Sequence, residues 1–344
     1  MDERLAIVVF SLGGPDSPEA VRPFLFNLFN DRYIIPWVQP FRWLLARTIS
    51  GARAKKSRGY YARLGGRSVL LPETTAQAKA LEAAAAHYAK DVRAFVFMRY
   101  WHPMAPDVVA QLKAYAPTRI VVVPMYPQYS TTTTGTSVDA LAGEARKQGL
   151  TTPFETICCF PTARGFIAPI VSMIGNAYAE MAAKGQKPRV LLTAHGLPEK
   201  TIAGGDPYQW QVEQTAAAVV AGLEIEGLDW AICYQSRVGP AKWIGPSTEA
   251  EIQRAGKDGV PLIVAPISFV SEHVETLVEL DETMRDLAKE SGVPDYKRIA
   301  AVRTDATFVA TLAGFIGFLK GRETPCSDTG AKLCPAKFGA CPHK

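Results

Sequence analysis

The sequence lacks the features that define several large classes of protein. No apolar run among its 344 residues reaches the roughly 18 residues needed to span a bilayer. Its start has neither the basic segment nor the small-residue cleavage site of a signal peptide, so we expect a cytoplasmic protein. The patterns G-x-G-x-x-G and G-x-x-x-x-G-K-S/T do not occur, so no bound nucleotide is expected. A net charge of +5 is too small for the basic footprint of a nucleic-acid binder, and we expect no nucleic-acid partner.

The modest positive charge is concentrated in one stretch of the chain. Two interpretations stay open: a solvated basic face, or a surface that attracts an anionic lipid or ligand. The members of this stretch are Arg47, Arg53, Lys55, Lys56, Arg58, Arg63 and Arg67.

Cysteine is scarce, with six residues, and unevenly placed. A disulfide framework is not expected in a cytosolic chain of this length, so clustered thiols favour metal binding. Three of the thiols, Cys326, Cys334 and Cys341, crowd the end of the chain. Their intervals of eight and seven residues match no standard zinc spacing.

Short apolar runs rich in β-branched residues alternate with helical patterns along most of the chain. Runs without polar alternation are typical of parallel strands buried on both faces, and their alternation with helices predicts a doubly wound α/β fold. The predicted strands are Ala6–Ser11, Ala94–Met98, Ile120–Met125, Val190–Ala194, Trp230–Tyr234 and Pro261–Pro266. The predicted helices include Thr74–Tyr88, Asp206–Leu223, Val274–Glu290 and Thr307–Leu319.

A polar turn follows each of the six predicted strands. For any one of these turns, glycine and proline could serve only to reverse the chain. That purely structural interpretation explains all six turns together poorly. Because ligands bind at the carboxyl ends of parallel strands, two sets of three turns predict two similar domains with a cleft between them. The turns begin at Ser11, Met98, Pro127, Ala194, Gln235 and Ser268.

His195 is one of only five histidines, and it directly follows an apolar strand and precedes Gly196. A histidine at a strand end is often a structural residue whose ring nitrogens are hydrogen-bonded within the protein. Its position at the predicted cleft favours a functional role, because a neutral imidazole can accept protons near neutral pH.

Five carboxylates recur at steps of three and four residues, which is one face of a predicted α-helix. Like charges at that spacing destabilise a helix. The face is either solvated or a ladder that conducts a divalent cation or protons, and its start at a strand end favours function for the first two or three members. The members are Glu272, Glu275, Glu279, Glu282 and Asp286.

A cleft with a proton acceptor opposite a carboxylate ladder suits the insertion of a metal into a tetrapyrrole. That reaction removes two pyrrole protons while a divalent cation enters. The flat ligand needs apolar walls, such as Trp101 or Trp243, and a few groups that bind its carboxylates.

The motifs at these positions resemble those of ferrochelatases, in order and in register from about residue 5 to residue 320. The resemblance rests on Gly13-Gly14-Pro15, an Asp31-Arg32 helix end, Gly65 to Ser68, Met98-Arg99-Tyr100, Tyr126 to Ser130, Thr193 to Pro198, Gln235 to Pro240 with Trp243 behind it, and Ser268 to Leu277.

The resemblance implies two Rossmann-like domains, at residues 1–175 and 176–325, with a cysteine tail at 326–344. It implies that His195 is the proton acceptor and that Glu275 is its partner across the macrocycle, both in contact with the substrate iron. Glu279 matches the next catalytic carboxylate. Glu272, also assigned to the catalytic set, stands where the family commonly has Asp.

The resemblance also assigns residues to the porphyrin. These are Leu12, Leu28, Phe29, Ile34, Arg53, Tyr61, Ser68, Met98, Arg99, Tyr100, Ser130 and Trp243. A lip at Phe41–Ile49 is expected to rest on the inner face of the membrane, and the neighbouring basic stretch supports that. Contact with the preceding oxidase of the haem pathway and a homodimer are further expected partners.

Leu12 stands where relatives that act on coproporphyrin often have Tyr, so the resemblance implies protoporphyrin IX and Fe²⁺ as substrates. Three alternatives stay open. They are a coproporphyrin III ferrochelatase, a cobalt or sirohydrochlorin chelatase, and a protein that binds haem or an iron–sulfur cluster without catalysis.

Some ferrochelatases carry a 2Fe–2S cluster on three tail cysteines and one from the body of the protein. The resemblance therefore implies ligation by Cys326, Cys334 and Cys341, with Cys158 preferred over Cys159 as the fourth ligand. A tail of free thiols, and zinc held by the three cysteines with His343, are the alternatives.

Overall fold

The computed structural model describes residues 3–237, 239, 241–322 and 324–343. Val238 and Pro240 of the predicted turn after the fifth predicted strand lie outside these residues. The strands in chain order are β1 (Arg4–Ser11), β2 (Asp91–Met98), β3 (Arg119–Pro124), β4 (Phe154–Cys159), β5 (Arg189–His195), β6 (Trp230–Gln235), β7 (Leu262–Pro266), β8 (Tyr296–Arg298) and β9 (Cys326–Ser327).

Two parallel sheets share the same strand order. The first runs β2-β1-β3-β4-β9 and the second runs β6-β5-β7-β8. In each sheet the first strand of the half lies between the second and the third. The order in which strands are added to the sheet therefore reverses at the same place in both halves. This confirms the predicted α/β fold and the six predicted strands.

Helices surround both sheets. The α-helices are α1 (Val21–Phe29), α2 (Phe41–Ala62), α3 (Leu70–Ala85), α4 (Ala105–Tyr115), α5 (Thr136–Gln148), α6 (Arg164–Ala182), α7 (Glu199–Ala203), α8 (Tyr208–Leu223), α9 (Thr248–Asp258), α10 (Arg285–Glu290) and α11 (Ala306–Phe318). Two further segments are π-helices, at Thr131–Gly135 and Glu275–Met284. Within the described part of the chain, no helix is both long and apolar enough to cross a membrane.

The two sheets share one hydrophobic core. Val9 and Val121 of the first sheet belong to the same buried cluster as Leu192 and Ile263 of the second. Such β-branched and aliphatic side chains fill strands that are covered on both faces.

The boundaries predicted at residues 175 and 325 do not coincide with the boundaries between the elements of the two sheets. Residue 175 lies inside α6, and β9 of the predicted tail pairs with β4 of the first sheet. The end of the chain therefore returns to the first half. Sequence patterns missed β4, β8 and β9, because β8 and β9 are very short and β4 carries polar residues at Glu155 and Thr156.

Hydrogen bonds fix the carboxyl ends of the two sheets against each other. Gln128, after β3, donates to the carbonyl of Ile267, after β7, at 3.1 Å. Gln77 of α3 donates to the carbonyl of Val270 at 2.9 Å. These buried bonds join the first half to the segment that follows β7.

Candidate active site

His195 is the last residue of β5. Parallel pairing sets it beside Gln235 of β6, and its backbone N–H donates to Oγ of Ser268 at 3.2 Å. A Cβ on the next residue, Gly196, would lie 3.3 Å from Cε3 of Trp243. The predicted wall residue Trp243 therefore packs against the turn that carries His195.

Two imidazoles flank the carboxylate of Glu275. Nδ1 of His195 lies 3.1 Å from Oε2 of Glu275, and Nε2 of His273 lies 3.4 Å from the same oxygen. Glu275 and His195 thus come from the same half of the molecule and touch each other. This contact differs from the expectation that they face each other across the macrocycle, because a hydrogen-bonded pair leaves no room for a flat ligand between its members.

These contacts shift the pKa values of the pair. Burial lowers the pKa of His195, but the charges of Glu275 and Glu279 outweigh burial and raise that pKa above its ordinary value. Burial alone would raise the pKa of Glu275, whereas His195 and His273 hold it well below its usual range. The arrangement favours an ionised Glu275 beside an imidazole that binds protons near neutral pH.

Glu279 is held by Ser236, directly after β6. The Ser236 N–H donates to Oε1 at 2.9 Å and its hydroxyl donates to Oε2 at 2.6 Å. Ser236 has a φ of 67°, and such a conformation costs a non-glycine residue about 1–3 kcal/mol, which the two bonds offset. Burial and the charge of Glu275 raise the pKa of Glu279, so this carboxylate takes up a proton more readily than a free glutamate.

Glu272 does not join this group. Its buried carboxylate accepts hydrogen bonds from Nη1 of Arg298 at 2.9 and 3.1 Å, and from the N–H of Ala301 at 2.9 Å. Burial raises its pKa, but the Arg298 charge and these bonds lower it overall. Because both oxygens are bound inside the protein, the geometry removes Glu272 from the predicted catalytic carboxylates.

The remaining carboxylates face outward, as the sequence predicted for the last two. Glu282 pairs with Arg63, directly after α2, at 2.9 Å on the surface, and Asp286 is exposed.

The helix that carries the carboxylates is wound differently from the prediction. Val274–Glu290 was expected to be one α-helix, but Glu275–Met284 is a π-helix and only α10 continues it. Single π-turns often occur at functional sites. The spacing therefore does not place all five carboxylates on one face.

An apolar cluster of the first half lies next to this helix. Its half-buried member Val274 directly precedes Glu275. The cluster brings together the predicted porphyrin contacts Leu12, Leu28, Phe29, Ile34, Tyr61 and Tyr100, with Val21, Phe24, Leu25, Leu64 and Trp101.

Ser68 and Tyr61 meet at Gly14. A Cβ on Gly14 would lie 2.4 Å from Oγ of Ser68 and 3.8 Å from the Tyr61 hydroxyl, so only glycine fits there. Burial, together with the charge of Glu275, raises the pKa of Tyr61. This part of the first half is therefore close to the carboxylate of the second half.

Two predicted porphyrin contacts, Arg53 and Arg99, have cationic side chains. The Arg53 guanidinium lies 5.9 Å from the centre of the Phe29 ring. Arg99 is held by Oδ2 of Asp31 at 2.6 Å and donates to Oγ1 of Thr136 at 2.9 Å. Arg99 is thus oriented by a buried carboxylate.

Three predicted porphyrin contacts are fully buried. Met98 ends β2 in the core, and the Tyr100 hydroxyl donates to Asp31 at 2.9 Å. The Ser130 hydroxyl donates to Asp206 at 2.9 Å. These side chains support the cleft from within, and the structure does not bring them to its surface.

A family model described as Ferrochelatase matches residues 4–317. The chain belongs to the ferrochelatase family.

Relatives of full length carry the same family name. A ferrochelatase of Phenylobacterium zucineum is 51% identical over 341 residues, covering 98% of this chain and 97% of the relative. One of Caulobacter vibrioides (strain NA1000 / CB15N) is 48% identical over 346 residues, covering 99% and 98%. Among solved structures, SirB from Bacillus subtilis with Fe³⁺ aligns with a TM-score of 0.49 at 12% identity, covering 92% of this chain and 96% of that one. A likeness that distant carries no argument about activity.

Ferrochelatases are metal chelatases, which are lyases, and they act on a porphyrin and ferrous iron. Membership therefore assigns to this chain the insertion of a metal into a porphyrin, a step of haem biosynthesis. Fe²⁺ is a substrate of this reaction.

Gln211 of α8 contacts one cysteine of β4 and one cysteine of the tail. Its Nε2 donates to Sγ of Cys334 at 3.1 Å and to Sγ of Cys159 at 3.4 Å. Sγ of Cys158 lies 3.3 Å from Sγ of Cys159. Cys326 of β9 is the register partner of Ile157 of β4. The tail thiols thus lie close to those of β4.

The thiols fit an iron–sulfur cluster in donor chemistry but not in arrangement. Thiolates are the usual ligands of such clusters, and the hydrogen bond from Cys334 lowers the pKa of Cys341 to about 6. Among the residues that the structure describes, however, no three His, Cys, Asp or Glu side chains are grouped so as to hold a metal ion. The predicted 2Fe–2S cluster is therefore not supported by the side-chain arrangement.

Sequence reasoning missed four residues of the site, namely Asp31 as the partner of Arg99, Ser236, His273 and Arg298. His273 could have been found, because it stands two residues before Glu275. Arg298 had no signal, since its partners lie 17 and 26 residues away along the chain.

Proposed function

We propose that this ferrochelatase inserts Fe²⁺ into protoporphyrin IX to give protohaem, with release of two pyrrole protons. The contact between His195 and Glu275, with Glu279 beside it, carries the proposal. His195 accepts a pyrrole proton, and Glu275 stabilises the imidazolium that forms. Glu279 passes protons or the incoming cation along the π-helix.

Nδ1 of His195 donates to Glu275 when the imidazole is neutral, and this fixes the tautomer. Nε2 then carries the free lone pair and is the atom that accepts the proton. Both groups that contact the iron therefore lie on one side of the bound porphyrin, and the apolar cluster lies on the other.

The choice of porphyrin rests on Leu12. Its side chain packs in the apolar cluster with Leu28 and Ile34, which suits the vinyl-bearing edge of protoporphyrin. Arg53, Arg99 and Ser68 bind the carboxylates at the other edge.

The test is metal insertion by the purified chain without oxygen. Protoporphyrin IX and coproporphyrin III are each supplied with Fe²⁺ or Zn²⁺, and absorbance and fluorescence are followed. Faster insertion into protoporphyrin IX supports the proposal, and faster insertion into coproporphyrin III overturns the substrate assignment. Tight porphyrin binding without any insertion would favour a non-catalytic haem-binding protein instead.

We also propose that the lip binds the surface of a membrane. The lip residues Phe41, Trp43 and Leu44 are exposed by between 44% and 62%. Trp37 and Val38, just before the lip, are exposed by 54% and 72%. An exposed apolar patch of this kind, continued by basic residues further along α2, suits insertion between anionic lipid headgroups. Peripheral association from the cytoplasm, contact with the preceding oxidase and a homodimer stay predictions.

We propose further that a 2Fe–2S cluster is held by Cys326, Cys334 and Cys341 with one cysteine of β4. The donor chemistry of the thiols supports it, together with the contacts of Gln211 to Cys334 of the tail and to Cys159 of β4. Cys158, the preferred fourth ligand, and Cys159 are neighbours in space, so either thiol is within reach of the tail.

A further inference from the structure

Arg298, the last residue of β8, connects two carboxylates that lie far apart in the sequence. Its Nη1 donates to Glu272 at 2.9 and 3.1 Å, while Nε and Nη2 donate to Asp281 at 2.9 and 2.5 Å. The guanidinium is only 8% exposed. A buried cation is thus bound by two buried or half-buried anions.

The two carboxylates flank the catalytic part of the π-helix. Glu272 lies just before the helix, Asp281 lies within its second half, and Glu275 and Glu279 lie between them. The same strand makes a further bond, since the Tyr296 hydroxyl donates to the carbonyl of Leu280 at 2.8 Å. Strand β8 therefore holds the helix at both ends of the segment that carries the proposed catalytic carboxylates.

This segment needs an external support. The π-helix is a rare conformation that is usually confined to single turns. Glu275 and Glu279 carry like charges one turn apart, and such pairs oppose each other. Loss of Arg298 would also leave Glu272 and Asp281 without their cation, and a buried charge without its partner is strongly destabilising.

We propose that Arg298 is a positioning residue for metal insertion. By binding Glu272 and Asp281 together, it fixes the π-helix so that Glu275 stays within reach of His195 and Glu279 within reach of Ser236. Arg298 does not touch substrate, and its effect on the reaction rests on the function proposed above.

The test compares Arg298→Met with Arg189→Met. Arg189 is a matched control, because it is 7% exposed and also bound by two carboxylates, Asp229 and Asp258, at the amino end of β5 away from the site. We expect kcat for Zn²⁺ insertion to fall by about tenfold to a hundredfold in Arg298→Met, since small misplacements of reacting groups have effects of that size. The KM for porphyrin should stay within about twofold of wild type, because all named members of the apolar cluster except Val274 lie in the first half.

Arg189→Met should keep kcat within about twofold of wild type, even if its melting temperature falls as far as that of Arg298→Met. Arg298→Lys should recover part of the lost kcat. It restores the positive charge, but its ammonium group cannot reproduce the planar set of N–H donors that binds both carboxylates. Should Arg298→Met fail to fold, Asp281→Asn removes one of the two connections and must show the same loss of kcat with unchanged KM.

Hydrogen exchange separates this proposal from the proposed function. Amides of residues 272–285 should lose protection in Arg298→Met, while those of β5 keep it. Unchanged protection there, or an equal loss of kcat in both arginine variants, overturns the positioning role. Absence of metal insertion by the wild type overturns the proposed function instead, and the exchange comparison still decides whether Arg298 holds the helix.

Discussion

Nδ1 of His195 lies 3.1 Å from Oε2 of Glu275, although the two residues are 80 positions apart. One ends a central strand and the other begins a π-helix. Their contact gives the imidazole a defined tautomer and a counter-charge, which are the two properties a proton acceptor needs. It also places both groups on the same side of the cleft.

Replacement of His195 by alanine should abolish metal insertion. A positioned general base contributes about 10²–10⁴-fold to a rate, so we expect kcat to fall within that range. Porphyrin binding, followed by quenching of protein fluorescence, should persist because all named members of the apolar cluster except Val274 belong to the first half. His87→Ala is the control, since His87 is exposed in the turn after α3. Near-normal turnover by His195→Ala would contradict the role of His195.

The rate of insertion should rise with pH through the pKa of His195. Only the neutral imidazole accepts a proton, and the charges of Glu275 and Glu279 raise its pKa above the ordinary value. Glu279→Gln removes one of these charges, so the midpoint of the acid limb should move to lower pH. The measurement is kcat/KM for Zn²⁺ insertion between pH 5 and pH 9, a range of about two units either side of neutrality.

Glu282→Gln serves as the control for this shift. Glu282 lies further along the same helix but pairs with Arg63 at the surface. Its replacement should leave the midpoint unchanged. A midpoint that does not move in Glu279→Gln would show that Glu279 does not act on His195.

Charge introduced into the lip should abolish binding to vesicles. Phe41→Glu together with Leu44→Glu places two carboxylates on an exposed apolar surface that is expected to meet anionic lipid. The measurement is co-sedimentation with vesicles of phosphatidylcholine and phosphatidylglycerol. Trp230→Glu is the control, because Trp230 is also exposed but lies at the start of β6. Unchanged sedimentation of the double variant would argue against the lip.

Serine substitutions should identify the ligands of the cluster. Cys326→Ser, Cys334→Ser and Cys341→Ser should each lose the visible absorbance, the iron and the acid-labile sulfide of the purified protein, as should one of Cys158→Ser and Cys159→Ser. Cys233→Ser should retain all three, since Cys233 is buried in β6 and contacts Thr248. Absence of iron and sulfide from the wild type purified without oxygen would contradict the cluster.

The local pattern of the chain was enough for much of the fold. The six predicted strands are present because each is a short apolar run whose side chains are mostly buried, a property that neighbours along the chain already specify. The polar turns after these strands lie at the site for the same reason, since parallel strands present their carboxyl ends at one edge.

The carboxylates show where local pattern was insufficient. Glu272, Glu275 and Glu279 look equivalent in the sequence, yet Arg298 binds the first, His195 the second and Ser236 the third. Their different pKa shifts follow from these partners, and the partners come from other strands. The π-helix likewise depends on its contacts with β8, which periodicity within the helix does not record.

The sequence by itself determined the α/β fold, the strand end that carries His195, and the family. These depend on residue type and on spacing over a few neighbours, where covalent geometry and burial dominate. Only the tertiary structure decided which carboxylate meets His195, which thiols of β4 lie near the tail, and that Arg298 supports the helix. Such contacts join residues far apart in the chain, and hydrogen bonds and charge interactions act only over the few ångströms that folding brings about.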